Sequence, residues 1–200
     1  MTDDSSAAAA GRPPVLAEYL LRLSLKHEDR ETVSGDLLEV YRDSVLPTQA
    51  SKAARWYWRQ VAWFVLRATL PWAALFSAAF LARQAWDWFV PTQDFVFRSE
   101  VTTYTAVAIL LLTAFIAAWR SRSFVAGVAM TAIASQVAAI ISILGICLLY
   151  AGWHDPETLR MVQNSGGIEE NFLLPFMAIV PAIVLGVVGA AAGVGARRLG

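Results

Sequence analysis

Gly35-Asp36-Leu37-Leu38-Glu39-Val40-Tyr41-Arg42, followed after a short interval by Arg55-Trp56-Tyr57-Trp58-Arg59-Gln60-Val61, is the stretch on which the reading of this chain turns. The first half has the spacing of an acidic amphipathic helix. The second is a basic, aromatic helix start that runs directly into apolar sequence. Residues before 61 are rich in charge, whereas the remainder of the chain is dominated by long charge-free runs. Tryptophan and tyrosine concentrate at the headgroup level of a bilayer, and arginine stems lie along apolar surface while their heads reach phosphate. The segment 55–60 therefore marks a membrane surface.

Working toward the N-terminus, residues 29–45 carry Val33, Leu37, Val40, Tyr41 and Val45 on one helical face, with Pro47 expected to end the element. Gly35 costs about 1 kcal/mol relative to alanine inside a helix. Two readings of it stand: an irregular helix start capped by Ser34, or close approach of a neighbouring helix. Leu16, Tyr19, Leu20 and Leu23 define another apolar face over residues 15–26, opened by Pro13-Pro14. Residues 1–14 have low complexity and lack the basic start and apolar stretch of a secretory signal, so they read as a disordered cytoplasmic tail.

Toward the C-terminus, four spans are expected, at about 61–82, 103–119, 124–150 and 172–195, within a transmembrane domain of residues 61–200. A third helix of the soluble part is expected to start near Thr48 or Ser51. Arg67 complicates the first span. The 15 residues between Arg67 and Arg83 make about 22–24 Å of helix, short of the ~30 Å hydrocarbon core. An intramembrane arginine is a candidate functional group, but one two turns inside Arg59 is read first as an interfacial anchor. Residues 83–102 read as a loop. Gln136 is the strongly polar residue of the third span, suited to a bond across a helix–helix contact. Residues 156–164 read as a short surface helix that Asp155-Pro156 begins and Gly166 stops. Gly189 and Gly193, four apart in the fourth span, leave a flat strip for close helix packing.

Composition agrees: 57% of the 200 residues are hydrophobic and 16% charged, with zero net charge. No overall basic field argues for direct contact with nucleic acid. The single cysteine, Cys147, excludes an intramolecular disulfide and a multi-cysteine metal site. His154, Asp155 and Glu157 lack the spacing of a metal site, and helix capping accounts for Asp155. No metal or cofactor is expected. No phosphate-binding loop occurs, and the spans carry neither paired carboxylates nor histidines for proton transfer, so an enzyme or small transporter is disfavoured. Twelve lysines and arginines fall in residues 1–60, the 120–122 turn and the C-terminus, against three in the alternate loops. This asymmetry predicts both termini in the cytoplasm. The fold class expected is all-α: an integral membrane protein with a small N-terminal cytoplasmic helical domain (residues 15–60) and four transmembrane helices.

The run from Leu20-Leu21-Arg22-Leu23 through Glu28-Asp29-Arg30-Glu31 and Gly35-Asp36-Leu37 to Arg55-Trp56-Tyr57-Trp58-Arg59-Gln60 resembles the bacterial permease prefix domain 2. That domain precedes large ABC-type permeases of the macrolide-exporter kind. The resemblance covers roughly residues 16–65 and implies a small helical bundle. Beyond it the chain departs from the family, with four spans and no large extracytoplasmic domain, so the transport machinery is not expected here. The expected role is accessory or regulatory, in the bacterial inner membrane, with Asp36, Glu39, Tyr41, Arg55, Trp56, Trp58 and Arg59 as partner-binding residues. Possible partners besides the lipid bilayer are an ABC permease or its ATPase, a PadR-type transcription regulator, or a second copy of the chain.

Overall fold

The computed structural model describes residues 12–90, 95–152, 155–164 and 167–199. Among these, every regular element is helical: α1 (Val15–Ser24), α2 (Arg30–Val40), a π-helical turn (Tyr41–Val45), α3 (Leu46–Phe89), α4 (Phe95–Ser121), α5 (Phe124–Gly152), α6 (Pro156–Asn164) and α7 (Gly167–Leu199). Residues 1–11 of the expected tail, and His154 and Gly166, lie outside the described residues. The chain divides into two compact units. One holds residues up to Ala68 with Arg120–Arg122; the other holds Thr69–Trp119 and the residues from Ser123 onward.

In the first unit, apolar burial and ring packing set the path. Pro14 precedes α1, whose buried side, Ala17 and Leu21, joins Tyr41, Ala53, Tyr57 and Val61 in one apolar cluster. Tyr41 meets Tyr57 edge to face, centroids 5.4 Å apart, an arrangement aromatic quadrupoles favour. The helix containing Gly35 begins at Arg30, and a Cβ on Gly35 would meet nothing within 4 Å. Neither an irregular start nor a close neighbour therefore explains that glycine. Pro47 does not end the helical path either. The π-helical turn lies immediately before Pro47 and leads into α3 without a break.

Four helices are long and apolar enough to cross a membrane: Lys52–Phe89, Val96–Ser121, Phe124–Gly152 and Asn171–Arg198. The second unit is built from small residues inward and large ones outward. The buried side of α5 is Ala126, Gly127, Thr131, Ala134, Ser135, Ala138 and Ser142 along with few larger groups. Leu148, Phe176 and Val180 are instead more than 60% exposed. Water would drive such side chains inward; lipid does not, and close backbone packing through small residues takes over. Two of the buried hydroxyls bond within their own helices, Thr113 Oγ1 donating to Ile109 O at 2.7 Å and Thr131 Oγ1 to Gly127 O at 2.9 Å. These features fit a multi-pass membrane protein.

Gly189 and Gly193 of α7 lie against α4. A Cβ on Gly189 would stand 2.5 Å from Leu111 O, and one on Gly193 would collide with Phe115 O. The two glycines four apart thus meet two backbone carbonyls four apart. Gln136 Nε2 donates to Pro175 O at 3.1 Å, joining α5 to α7, helices that also pack along each other. Between α4 and α5, Arg122 takes a left-handed conformation (φ 54°) and Ser123 N–H reaches back to Ala118 O at 3.3 Å. This closes α4 as a Schellman-type cap. Ser123 Oγ then accepts from Ala126 N–H and opens α5.

The main departure from the sequence reading is at residues 83–102. That segment was expected to be a loop; instead α3 continues to Phe89 and α4 already begins at Phe95. The first and second spans are correspondingly longer than 61–82 and 103–119. Arg83 and Asp87, one helical turn apart, pair along α3, so their charges do not terminate the helix.

Candidate functional site

Each unit holds one cluster built on a carboxylate. In the first, Glu18 of α1 accepts hydrogen bonds from Tyr57 Oη, Ser34 Oγ and, at 2.7 Å, Arg22 Nε. Arg22 Nη1 also reaches Glu31 at 3.3 Å and Nη2 reaches Ser34 Oγ at 3.4 Å. Burial alone would raise the Glu18 carboxyl. The bonds from Arg22, Ser34 and Tyr57 outweigh it and hold Glu18 below the usual carboxylate range. Arg22 is held above its ordinary value, chiefly by its hydrogen bond to Glu18. Arg30 donates from Nη2 to Ser121 O at 2.8 Å; burial, followed by repulsion from Arg22, lowers it.

The residues singled out from sequence take no part in the hydrogen bonds of this cluster. Asp36 and Glu39 are exposed on α2, and Arg55, Trp58 and Arg59 are exposed on α3. Trp56 is half-buried. Tyr41 is 3% exposed and belongs to the apolar cluster, so its ring is not at the surface. Asp36, Glu39 and Asp43 form no ion pair with Arg55 or Arg59 among the described residues. Arg67 is exposed and makes no hydrogen bond or ion pair among them.

In the second unit, α3, α4, α5 and α7 enclose a cavity of about 410 Å³, at the lower end of small-molecule sites. Its wall is divided by height. On α3 the polar residues Arg83, Gln84 and Asp87 stand above Phe80 and Phe76; on α4, Thr102 and Thr103 stand above Ala106 and Leu110. On α7, Asn171 stands above Met177 and Leu185. Gln84 Nε2 donates to Asn171 Oδ1 at 2.6 Å and, at 3.5 Å, to Ser142 O. Pro175 and Pro181 of α7 have no N–H to give the carbonyls of Asn171 and Met177, both of which line the cavity.

The charges at the polar end are unevenly matched. Arg98 is 5% exposed and engaged at both terminal nitrogens: Nη1 donates to Asp87 Oδ1 at 2.7 Å, Nη2 to Val90 O at 2.7 Å, and its guanidinium lies 5.0 Å from the centre of the Trp86 ring. Arg83 reaches Asp87 Oδ2 only at 3.4 Å, through Nε. Its two terminal nitrogens have no partner among the described residues. Among the described residues one cation is thus in excess where the cavity meets polar wall. Sequence inspection missed this group by taking its charges as a loop; the four-residue spacing of Arg83 and Asp87 was the available signal, whereas the pairing with Arg98 crosses between two helices.

Among the described residues no three histidine, cysteine, aspartate or glutamate side chains gather as metal ligands would. No family model matches the chain, and neither the curated proteins nor the solved structures hold a significant match, so its function is argued from the two clusters and the surfaces around them.

Proposed function

We propose that the chain is a non-enzymatic membrane adaptor whose N-terminal unit docks a component of a transport system, an ABC permease or its ATPase. The observation that carries this reading is the separation of charges in that unit. Glu18, Arg22 and Ser34 are consumed in holding the helices together. Asp36, Glu39, Arg55 and Arg59 are exposed and make no side-chain bond among the described residues. An acidic helix face and a basic-aromatic one, both free, provide complementary contacts of the kind that set the orientation of a partner. The resemblance of residues 16–65 to a permease prefix domain supports the choice of partner, and the lysine and arginine asymmetry supports cytoplasmic termini in a bacterial inner membrane.

The test is a photoreactive residue at Glu39 in native membranes, with captured proteins identified by mass spectrometry. Capture of a permease or ATPase, lost in Asp36→Lys, supports an accessory subunit. Capture of a PadR-type regulator instead would replace this reading with a membrane tether. Self-crosslinks alone would replace it with a homo-oligomer.

A further inference from the structure

We infer that the cavity of the second unit binds a single acyl chain carrying an anionic head, the head on Arg83 and the chain directed toward Phe76, Leu110 and Leu185. The argument begins with the guanidinium. Arginine presents five N–H donors in a planar fork that matches a carboxylate or phosphate. Arg83 commits one, from Nε, to Asp87, and that at 3.4 Å. Asp87 is already neutralised by Arg98 at 2.7 Å. Among the described residues the terminal edge of the Arg83 fork is therefore open, and it carries the positive charge that their ion pairs leave unbalanced. Asp87 is the one acidic lining residue among those described.

The rest of the wall selects the other end of the ligand. On α3, α4 and α7 alike, lining residues change from polar to apolar in the same direction. Seven residues separate Arg83 from Phe76 and fourteen separate Asn171 from Leu185, so the apolar depth is roughly 10–20 Å at 1.5 Å per residue. A small polar metabolite would leave this depth unfilled, and a wholly apolar one would leave the fork without an anion. An amphiphile with one negative head satisfies both. Two sources supply that chemistry: a free fatty acid, or a bilayer phospholipid with one chain inserted.

The experiment uses the full chain in nanodiscs and a palmitic acid bearing a chain diazirine, with the matching diazirine alcohol as neutral control. Label is mapped by peptide mass spectrometry. Acid label is expected on the peptides containing Phe76, Leu110 and Met177. Arg83→Gln should lower acid labelling at least about tenfold, as loss of a charge-assisted pair implies, and leave alcohol labelling within about twofold of wild type on the same scale. Ala106→Trp, which fills the cavity, should abolish both. Phosphatidylglycerol nanodiscs that suppress the acid label relative to phosphatidylcholine, with phosphatidylglycerol retained in native mass spectra of wild type but not of Arg83→Gln, would identify the phospholipid as occupant; indifference to headgroup would identify the free acid. Label confined to lipid-facing peptides, or equal loss of acid and alcohol labelling in Arg83→Gln, would overturn the inference. Arg83→Gln carries the test by itself if Ala106→Trp fails to fold.

Discussion

Glu18 and Asp87 are both largely buried carboxylates, with side chains 23% and 15% exposed, and each receives an arginine at 2.7 Å. What surrounds them differs. Around Glu18 the bonding is closed: one arginine serves Glu18, Glu31 and Ser34 together, and a tyrosine and a serine complete the carboxylate. Around Asp87 the described residues place two arginines against one acid, and only Arg98 has both terminal nitrogens engaged. In the closed cluster every guanidinium nitrogen of Arg22 already holds a partner that ties the helices together. In the open one, beside a cavity, the terminal nitrogens of Arg83 have none among the described residues. Hydrogen-bond capacity left over, and not the presence of charge, separates the structural group from the candidate binding group.

The comparison is broken most severely by removing Arg98. Truncating one member of a buried pair costs about 3–5 kcal/mol, and the low end applies because Arg83 stays near Asp87. Arg98→Met should therefore lower stability by about 3 kcal/mol in reversible unfolding from mixed micelles. A loss below about 1 kcal/mol, the level of an exposed pair, would mean that Arg98 does not anchor the α3–α4 connection. In that event the contrast between an engaged Arg98 and an open Arg83 fails with it.

The same pair explains which parts of the fold could be read from sequence. The existence of four spans is legible from charge-free runs, and α5 and the short helix α6 fall close to where periodicity and Asp155-Pro156 put them. Their neighbours carry no competing charge. The ends of α3 and the start of α4 were misread because Arg83, Asp87 and Arg98 look like solvated loop residues until each is given its partner. Only the tertiary structure does that for Arg98, whose acid lies eleven residues away on another helix. Pro47 does not end the helix as expected, because a π-helical turn directly before it carries the chain into α3. Gly189 and Gly193 were legible as a packing strip, yet which helix they pack on required coordinates. Of the residues expected to bind a partner, Asp36, Glu39, Arg55, Trp58 and Arg59 are exposed as their residue types suggest, Trp56 is half-buried, and the Tyr41 ring turns inward.

The closed cluster gives a smaller effect, with a pH signature. Because the folded Glu18 carboxyl lies below its ordinary value, its contribution is fully present above the unfolded value and is lost as pH falls through the folded one. Protection of α1 amides from hydrogen exchange should therefore decline below about pH 5. Glu18→Gln, which keeps the shape and removes the charge, should cost about 1–2 kcal/mol at neutral pH and flatten that decline. An unchanged slope in the variant would assign the acid sensitivity to another carboxylate and leave Glu18 without its proposed role in holding α1.

Arg83→Gln sharpens the comparison by changing least. Arg83 is one quarter exposed on its side chain and touches Asp87 at 3.4 Å, so the ion pair contributes under about 1 kcal/mol. Asp87 keeps Arg98, and no buried charge is left alone. Unfolding of this variant should thus stay within about 1 kcal/mol of wild type, in the same micelles where Arg98→Met loses about 3 kcal/mol. A loss comparable to that of Arg98→Met would make Arg83 a structural member of the pair. Its terminal nitrogens would then be needed for the fold, and the open end of the cluster would no longer distinguish it from the closed one around Glu18.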